Sequence, residues 1–180
     1  WARLVLGLSF LFISLGFIKE GMTEIMKDYD ISVLSKYPGV VFALVGFLIT
    51  SIVQSSSATM ALALSALFVN AISLNDAMAV SLGAETGSAV KLFLASAKGN
   101  MVKKSIALSN FMFNVITMII FLFLLQPLNS LITGTFSVDN KLIALVLFQT
   151  IVNISCIILF LPFVDKIAKW MEKIYKGKSI

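Results

Sequence analysis

The sequence predicts an all-α, polytopic integral membrane protein, and three observations lead there. Hydrophobic residues make up 59% of the chain and charged residues 13%, with a mean hydropathy of +1.00; soluble domains average about 45–50% and about 25%. The apolar residues form long runs separated by short charged clusters, the pattern of spanning helices. Two of those runs carry polar or glycine-rich interruptions, which predicts one re-entrant helical hairpin and one broken transmembrane helix.

Five apolar blocks follow in order. Residues 4–18 form a first span, and residues 19–37 are a mixed-charge, amphipathic segment expected at the water interface. Block two, residues 38–69, is too long for one crossing. As a single helix at roughly 1.5 Å per residue it would reach about 48 Å, against a hydrocarbon core of about 30 Å. Two short helices, near 39–53 and 58–69, that enter and leave by one face resolve the excess, with Gln54-Ser55-Ser56-Ser57 at their tip. Such a hairpin survives only where its non-helical backbone is buried in protein or lines a wet cavity. A single tilted helix is the alternative.

Block three, residues 72–97, contains Gly83-Ala84-Glu85-Thr86-Gly87-Ser88 near its middle. Each glycine costs about 1 kcal/mol relative to alanine in a helix, and a mid-depth glutamate costs roughly 2.5–3.5 kcal/mol on insertion scales. A helix broken for a purpose explains this stretch, with a new start near Ser88. Blocks four (105–127) and five (142–163) are of spanning length, joined by a turn-rich loop holding Pro127, Gly134 and Asp139. A basic tail, 164–180, closes the chain, which opens on Trp1 and so reads as a piece of a longer protein.

Charge sets the orientation. Lys98, Lys103 and Lys104, and the lysines of the tail, fall on one side when blocks four and five each cross once. The positive-inside rule makes that side, and the C-terminus, cytoplasmic, in a plasma or bacterial inner membrane. A hairpin in block two also puts Arg3 inside. The net charge of +5 marks these flanks and does not mark a nucleic-acid surface. With no His and one Cys, imidazole relays, His-ligated metals, an intrachain disulfide and a zinc site are excluded, and Cys156 reads as apolar filler. Nothing points to an enzyme or to an organic cofactor.

Two interruptions in one membrane protein have a joint meaning. A helix that starts at mid-depth presents unpaired N–H groups and roughly half a positive charge to an anion. Hydroxyls and freed carbonyls beside it can ligate a small cation. Paired broken elements are the usual architecture of secondary-transporter sites. The bland reading is close helix packing through small residues at four-residue spacing, such as Gly39 and Ala43 or Ser57, Ala61 and Ser65. Lys91 either snorkels or pairs with Glu85 or a bound anion. Asn114 and Asn153 read equally as inter-helix glue or as ligands.

The stretch TSIVQSSSATMALAL resembles the Thr-x-x-x-Gln-Ser-Ser-Ser-Ala signature of the type II sodium/phosphate cotransporters. LGAETGS sits where that family has Leu-Gly-Ala-Asn-Ile-Gly-Thr, ALSNFMFNV resembles its Phe-Asn segment, and ALVLFQTIVNISCIILFLPFV resembles its last span. GLSFLFISLGFIKEGM fits the opening of its second repeat, so the likeness covers almost the whole chain. Two departures stand out: Glu85-Thr86 replaces Asn-Ile, and Lys91 occupies a commonly neutral position.

The resemblance implies sodium-coupled uptake of inorganic phosphate by alternating access, with sodium as the coupling ion. It implies phosphate contacts from Gln54, Ser55, Ser56, Ser57, Gly87 and Ser88. Sodium contacts would come from Thr50, Ser57, Glu85, Thr86, Ser88 and Asn114, and gating or support from Gly83, Lys91, Gln149 and Asn153. The family carries its signature twice, in inverted repeats whose tips meet, whereas this chain carries it once. The missing repeat would come from the same full-length chain or from a second subunit, and homo-oligomers are compatible with either. An anion channel, a proton-coupled anion transporter and a non-transporting scaffold or sensor subunit are the alternatives.

Overall fold

A computed structural model describes residues 1–28, 37–167 and 169–170. Among them the fold is all-helical: α1 (Ala2–Asp28), α2 (Gly39–Val53), α3 (Ser56–Phe68), α4 (Leu74–Ser96), α5 (Met101–Phe123), α6 (Leu125–Ser130) and α7 (Lys141–Phe160). A π-helical turn, Leu131–Thr135, continues α6, and a 3-10 turn, Leu161–Phe163, continues α7. Three stretches are long and apolar enough to cross a membrane: Ala2–Gly21, Met101–Phe123 and Lys141–Ile167.

Most helix starts are written in the sequence. Ser73 caps α4 in a capping box with Asp76, Asn100 caps α5 at Lys103 N–H, and Asn140 caps α7 at Leu142 and Ile143 N–H. The end of α3 is a Schellman turn: Asn70 takes the left-handed conformation (φ 57°) while Ala71 N–H reaches back to Ala66 C=O.

Three expectations need correction. First, the helix does not stop at 18: α1 runs through Gly21 to Asp28, carried by the good helix formers Lys19, Glu20 and Glu24, while its apolar spanning part ends at Gly21. The rest of the proposed interfacial segment, 29–36, lies outside the described residues, as do Lys173, Lys176 and Lys178 of the tail. Second, the connection after block four is largely helical. Pro127 falls in the first turn of α6, where a missing N–H leaves no hydrogen bond unmade.

Third, α4 is one unbroken helix of 23 residues through Gly83–Ser88. Its glycines serve close approach rather than interruption. A Cβ on Gly83 would strike the Ala43 carbonyl, one on Gly46 of α2 the Val80 carbonyl, and one on Gly87 would sit 2.6 Å from Phe47 O. Backbone therefore lies against backbone between α2 and α4, the geometry small residues permit in membranes. Contacts advance together along both helices, from Gly39 beside Ala79 to Thr50 and Ser51 beside Gly87, so α2 and α4 run parallel.

The core gathers around α4. Ala77, Met78, Ala79 and Ala84 are fully buried, against Phe42 and Ala43 of α2, Leu67 of α3, and Leu145 and Phe148 of α7. Outward faces are strongly apolar: Phe17, Ile52, Phe123 and Ile158 are all exposed, as they would be toward acyl chains. At one end of the bundle Lys19 stacks over Phe68, joining α1 to α3, and Lys141 Nζ donates to Asn70 Oδ1.

Candidate functional site

The chain breaks helix at Gln54 and Ser55 and nowhere else between Gly39 and Phe68. Gln54 ends α2 in the left-handed region (φ 59°, ψ 26°), its N–H donating to Thr50 C=O; Ser55 is extended (φ −140°, ψ 104°) and caps α3 through Ala58 N–H. In a continuous helix Thr50 and Thr59 would be about 13 Å apart at roughly 1.5 Å per residue. Here Thr50 Oγ1 donates to Thr59 Oγ1 at 2.7 Å, and Thr59 Oγ1 donates to Ser55 C=O at 3.3 Å. The chain therefore turns sharply, and two buried threonines staple the turn from within.

That staple leaves the tip's other groups free. Among the described residues the Gln54 amide and the Ser56 and Ser57 hydroxyls make no side-chain hydrogen bond. Gln54 and Ser57 are exposed, Ser56 half-buried. All of them surround the N-terminus of α3. Thr50, near the C-terminal end of α2, lies beside Gly87, and Lys91 follows Gly87 by one turn of α4. Lys91 leaves α4 about 40° around from Gly87, on the α2 side, and is exposed.

A second polar group lies on the other side of α4. Glu85 points about 160° away from Gly87 and sits about 9 Å before Lys91 along the axis. Its Oε1 accepts from Gln149 Nε2 of α7 at 2.8 Å. It makes no ion pair with Lys91. Next to it, the single hydroxyl hydrogen of buried Thr86 is shared between Leu82 C=O at 3.1 Å and Asn114 C=O of α5 at 3.2 Å, while Asn114 Nδ2 donates to Asn110 C=O. Cys156 Sγ approaches Thr117 Oγ1 at 3.4 Å, continuing this seam between α5 and α7.

A family profile described as Na+/Pi-cotransporter matches residues 10–152, which is most of the chain and takes in both polar groups. The chain belongs to the Na+/Pi-cotransporter family. No curated protein and no solved structure matches it. As a family this one transports phosphate with sodium, and multi-pass membrane embedding accords with the three apolar helices.

Within this cotransporter fold the expected site residues divide. Gln54, Ser55, Ser56, Ser57 and Thr50 gather at the break, while Lys91 lies exposed on α4 one turn past Gly87. Glu85, Thr86, Asn114 and Gln149 gather on the α5–α7 side of α4. Gly83 and Gly87 are helix-packing positions, and Ser88, whose hydroxyl donates to Glu85 C=O at 2.6 Å, is mid-helix and starts nothing. Asn153 is exposed and lies in neither group. Thr59 and Asn110 are polar residues the sequence reading passed over. The position of Thr59 one turn inside α3, mirroring Thr50 one turn inside α2, is the signal that marked it.

Proposed function

We propose that the chain is one repeat of a sodium-coupled inorganic phosphate transporter working by alternating access. In this reading α2 and α3 form a re-entrant hairpin whose tip meets the matching tip of a second repeat, carried by the same full-length protein or by another subunit. The C-terminus faces the cytoplasm.

One observation supports the reading: the break at Gln54 and Ser55 presents the α3 N-terminus together with the unbonded Ser56 and Ser57 hydroxyls and the exposed Gln54 amide. Phosphate needs many donors and positive potential, and the tip offers helix N–H groups with their partial positive charge, hydroxyls and an amide, with Lys91 one turn beyond Gly87 on α4 as a candidate counter-charge. Ser55 supports the tip by capping Ala58 rather than by reaching the anion. The residues proposed for sodium fall at two depths, Thr50 and Ser57 at the break and Glu85, Thr86 and Asn114 further along α4.

The test is radiolabelled phosphate uptake in proteoliposomes with and without a sodium gradient. Ser56→Ala and Ser57→Ala are expected to abolish sodium-dependent uptake while membrane insertion is kept. Unchanged uptake in both variants removes the tip from the site. Conduction that neither saturates nor responds to sodium points to an anion channel instead.

A further inference from the structure

Glu85 presents an electrostatic problem. It sits half-buried near the middle of the most enclosed helix, and its one side-chain partner is a neutral amide. No Lys or Arg pairs with it among the described residues. A carboxylate at this depth is costly without a counter-charge.

Gln149 presents the complementary problem. A carboxylate only accepts, so the Gln149 amide must turn Nε2 toward Glu85, which leaves Oε1 as a fixed acceptor. That oxygen is buried and has no hydrogen-bond partner. Asn75 Oδ1 and Asn129 Oδ1 are also buried without a partner, but only Gln149 Oε1 belongs to a residue hydrogen-bonded to an uncompensated carboxylate, a setting that a bound ion would explain. Here an uncompensated negative charge and an orphaned carbonyl oxygen belong to one hydrogen-bonded pair. Hard cations select carboxylate and carbonyl oxygens. One monovalent cation answers both problems together.

We propose that the Glu85 carboxylate and Gln149 Oε1 ligate a sodium ion directly, at a subsite separated from the phosphate-binding tip by the body of α4. This deepens the transporter reading and rests on it for the ion's identity. The neighbouring seam has a supporting part: the bond from Thr86 to Asn114 C=O ties α4 to α5 and fixes the height of Glu85. Sodium bound here would tie α4 to α7, so loading the ion stiffens the scaffold against which the tip's level is set.

The experiment is thermal unfolding of the protein in lipid nanodiscs, titrated with NaCl without phosphate, with choline chloride holding ionic strength constant. Sodium is expected to raise the unfolding midpoint of the wild type saturably, as any ligand of the folded state does. Glu85→Gln and Gln149→Leu are each expected to raise the half-saturating sodium concentration roughly 10–100-fold, the usual effect of losing a partner at a metal site. Gln149→Glu, which retains a ligating oxygen, is expected to keep saturable sodium binding. If Glu85→Gln fails to fold, Gln149→Leu decides alone. Unchanged half-saturation in the variants overturns the subsite. So does stabilisation that ignores sodium, follows pH and vanishes in Glu85→Gln, because the pair then holds a proton. A phosphate titration at saturating sodium reads the tip separately. Should phosphate leave the midpoint of the wild type unmoved while sodium binding still depends on Glu85 and Gln149, the phosphate assignment falls and the sodium subsite stands.

Discussion

Two stretches look alike in the sequence and behave in opposite ways. Gln54–Ser57 and Gly83–Ser88 both interrupt an apolar run with small and polar residues, yet only the first stops a helix. The stretch with no glycine breaks, and the one with two glycines does not. What decides is the neighbour each backbone meets. Gly83 and Gly87 face the α2 backbone at a distance that admits no Cβ, so the helix they weaken locally is held by close packing. Around Gln54 nothing encloses the backbone so closely, and Ser55 supplies a cap that makes a fresh helix start favourable.

The sharpest way to break this comparison is Gly83→Ala. Were Gly83 a weak point in a helix, alanine would stabilise by about 1 kcal/mol. The structure predicts the opposite sign, because the new methyl meets the Ala43 carbonyl and α2 must move. A loss of about 1–3 kcal/mol, the usual cost of overpacking, is expected in a denaturant titration of the purified protein. Gly134→Ala, in the helical turn Leu131–Thr135 with no atom near its added Cβ, is the control and should stabilise by up to about 1 kcal/mol.

Smaller, and aimed at the other stretch, is Thr50→Val. Valine keeps the volume of a fully buried side chain but cannot donate to Thr59. Inter-helix hydrogen bonds in membranes are worth about 0.6–1.7 kcal/mol, so a loss of that order is expected in the same titration. A loss confined to stability would identify Thr50 as a staple; a loss of sodium affinity at full stability would make it a ligand and join the two polar groups into one.

How far the sequence reveals such things depends on the range of the interaction. The all-helical class follows from composition and holds among the described residues, where three helices are also long and apolar enough to cross a membrane. The starts expected at 72 and 142 fall within two residues of α4 and α7, whereas α5 opens four residues before 105, because its cap Asn100 is polar chemistry that an apolar run does not mark. The glycines of α4 were misread because propensity describes a helix alone, while their partner, α2, lies some forty residues away. Pro127 was misread for a related reason: whether a proline ends a helix or opens one depends on a position within the turn that composition does not specify. The pairing of Glu85 with Gln149 spans 64 residues and no local pattern announces it. Each residue was singled out, as an anomaly or by resemblance, but only the fold makes them one unit.

Gln54 gives the smallest expected effect and separates conformation from chemistry. A non-glycine residue held left-handed costs roughly 1 kcal/mol, so Gln54→Gly should relieve strain and stabilise by somewhat less than that, about 0.5 kcal/mol. The backbone turn and the Thr50–Thr59 staple would persist, since neither uses the Gln54 side chain. Phosphate affinity should nonetheless fall, because the exposed amide beside the α3 N-terminus is gone. Measured together, a rise in unfolding midpoint with a fall in phosphate affinity assigns the glutamine to the ligand and the bend to the staple. A fall in both would mean that the side chain itself holds the turn. The contrast between the two interrupted runs would then rest on Gln54 rather than on what surrounds it.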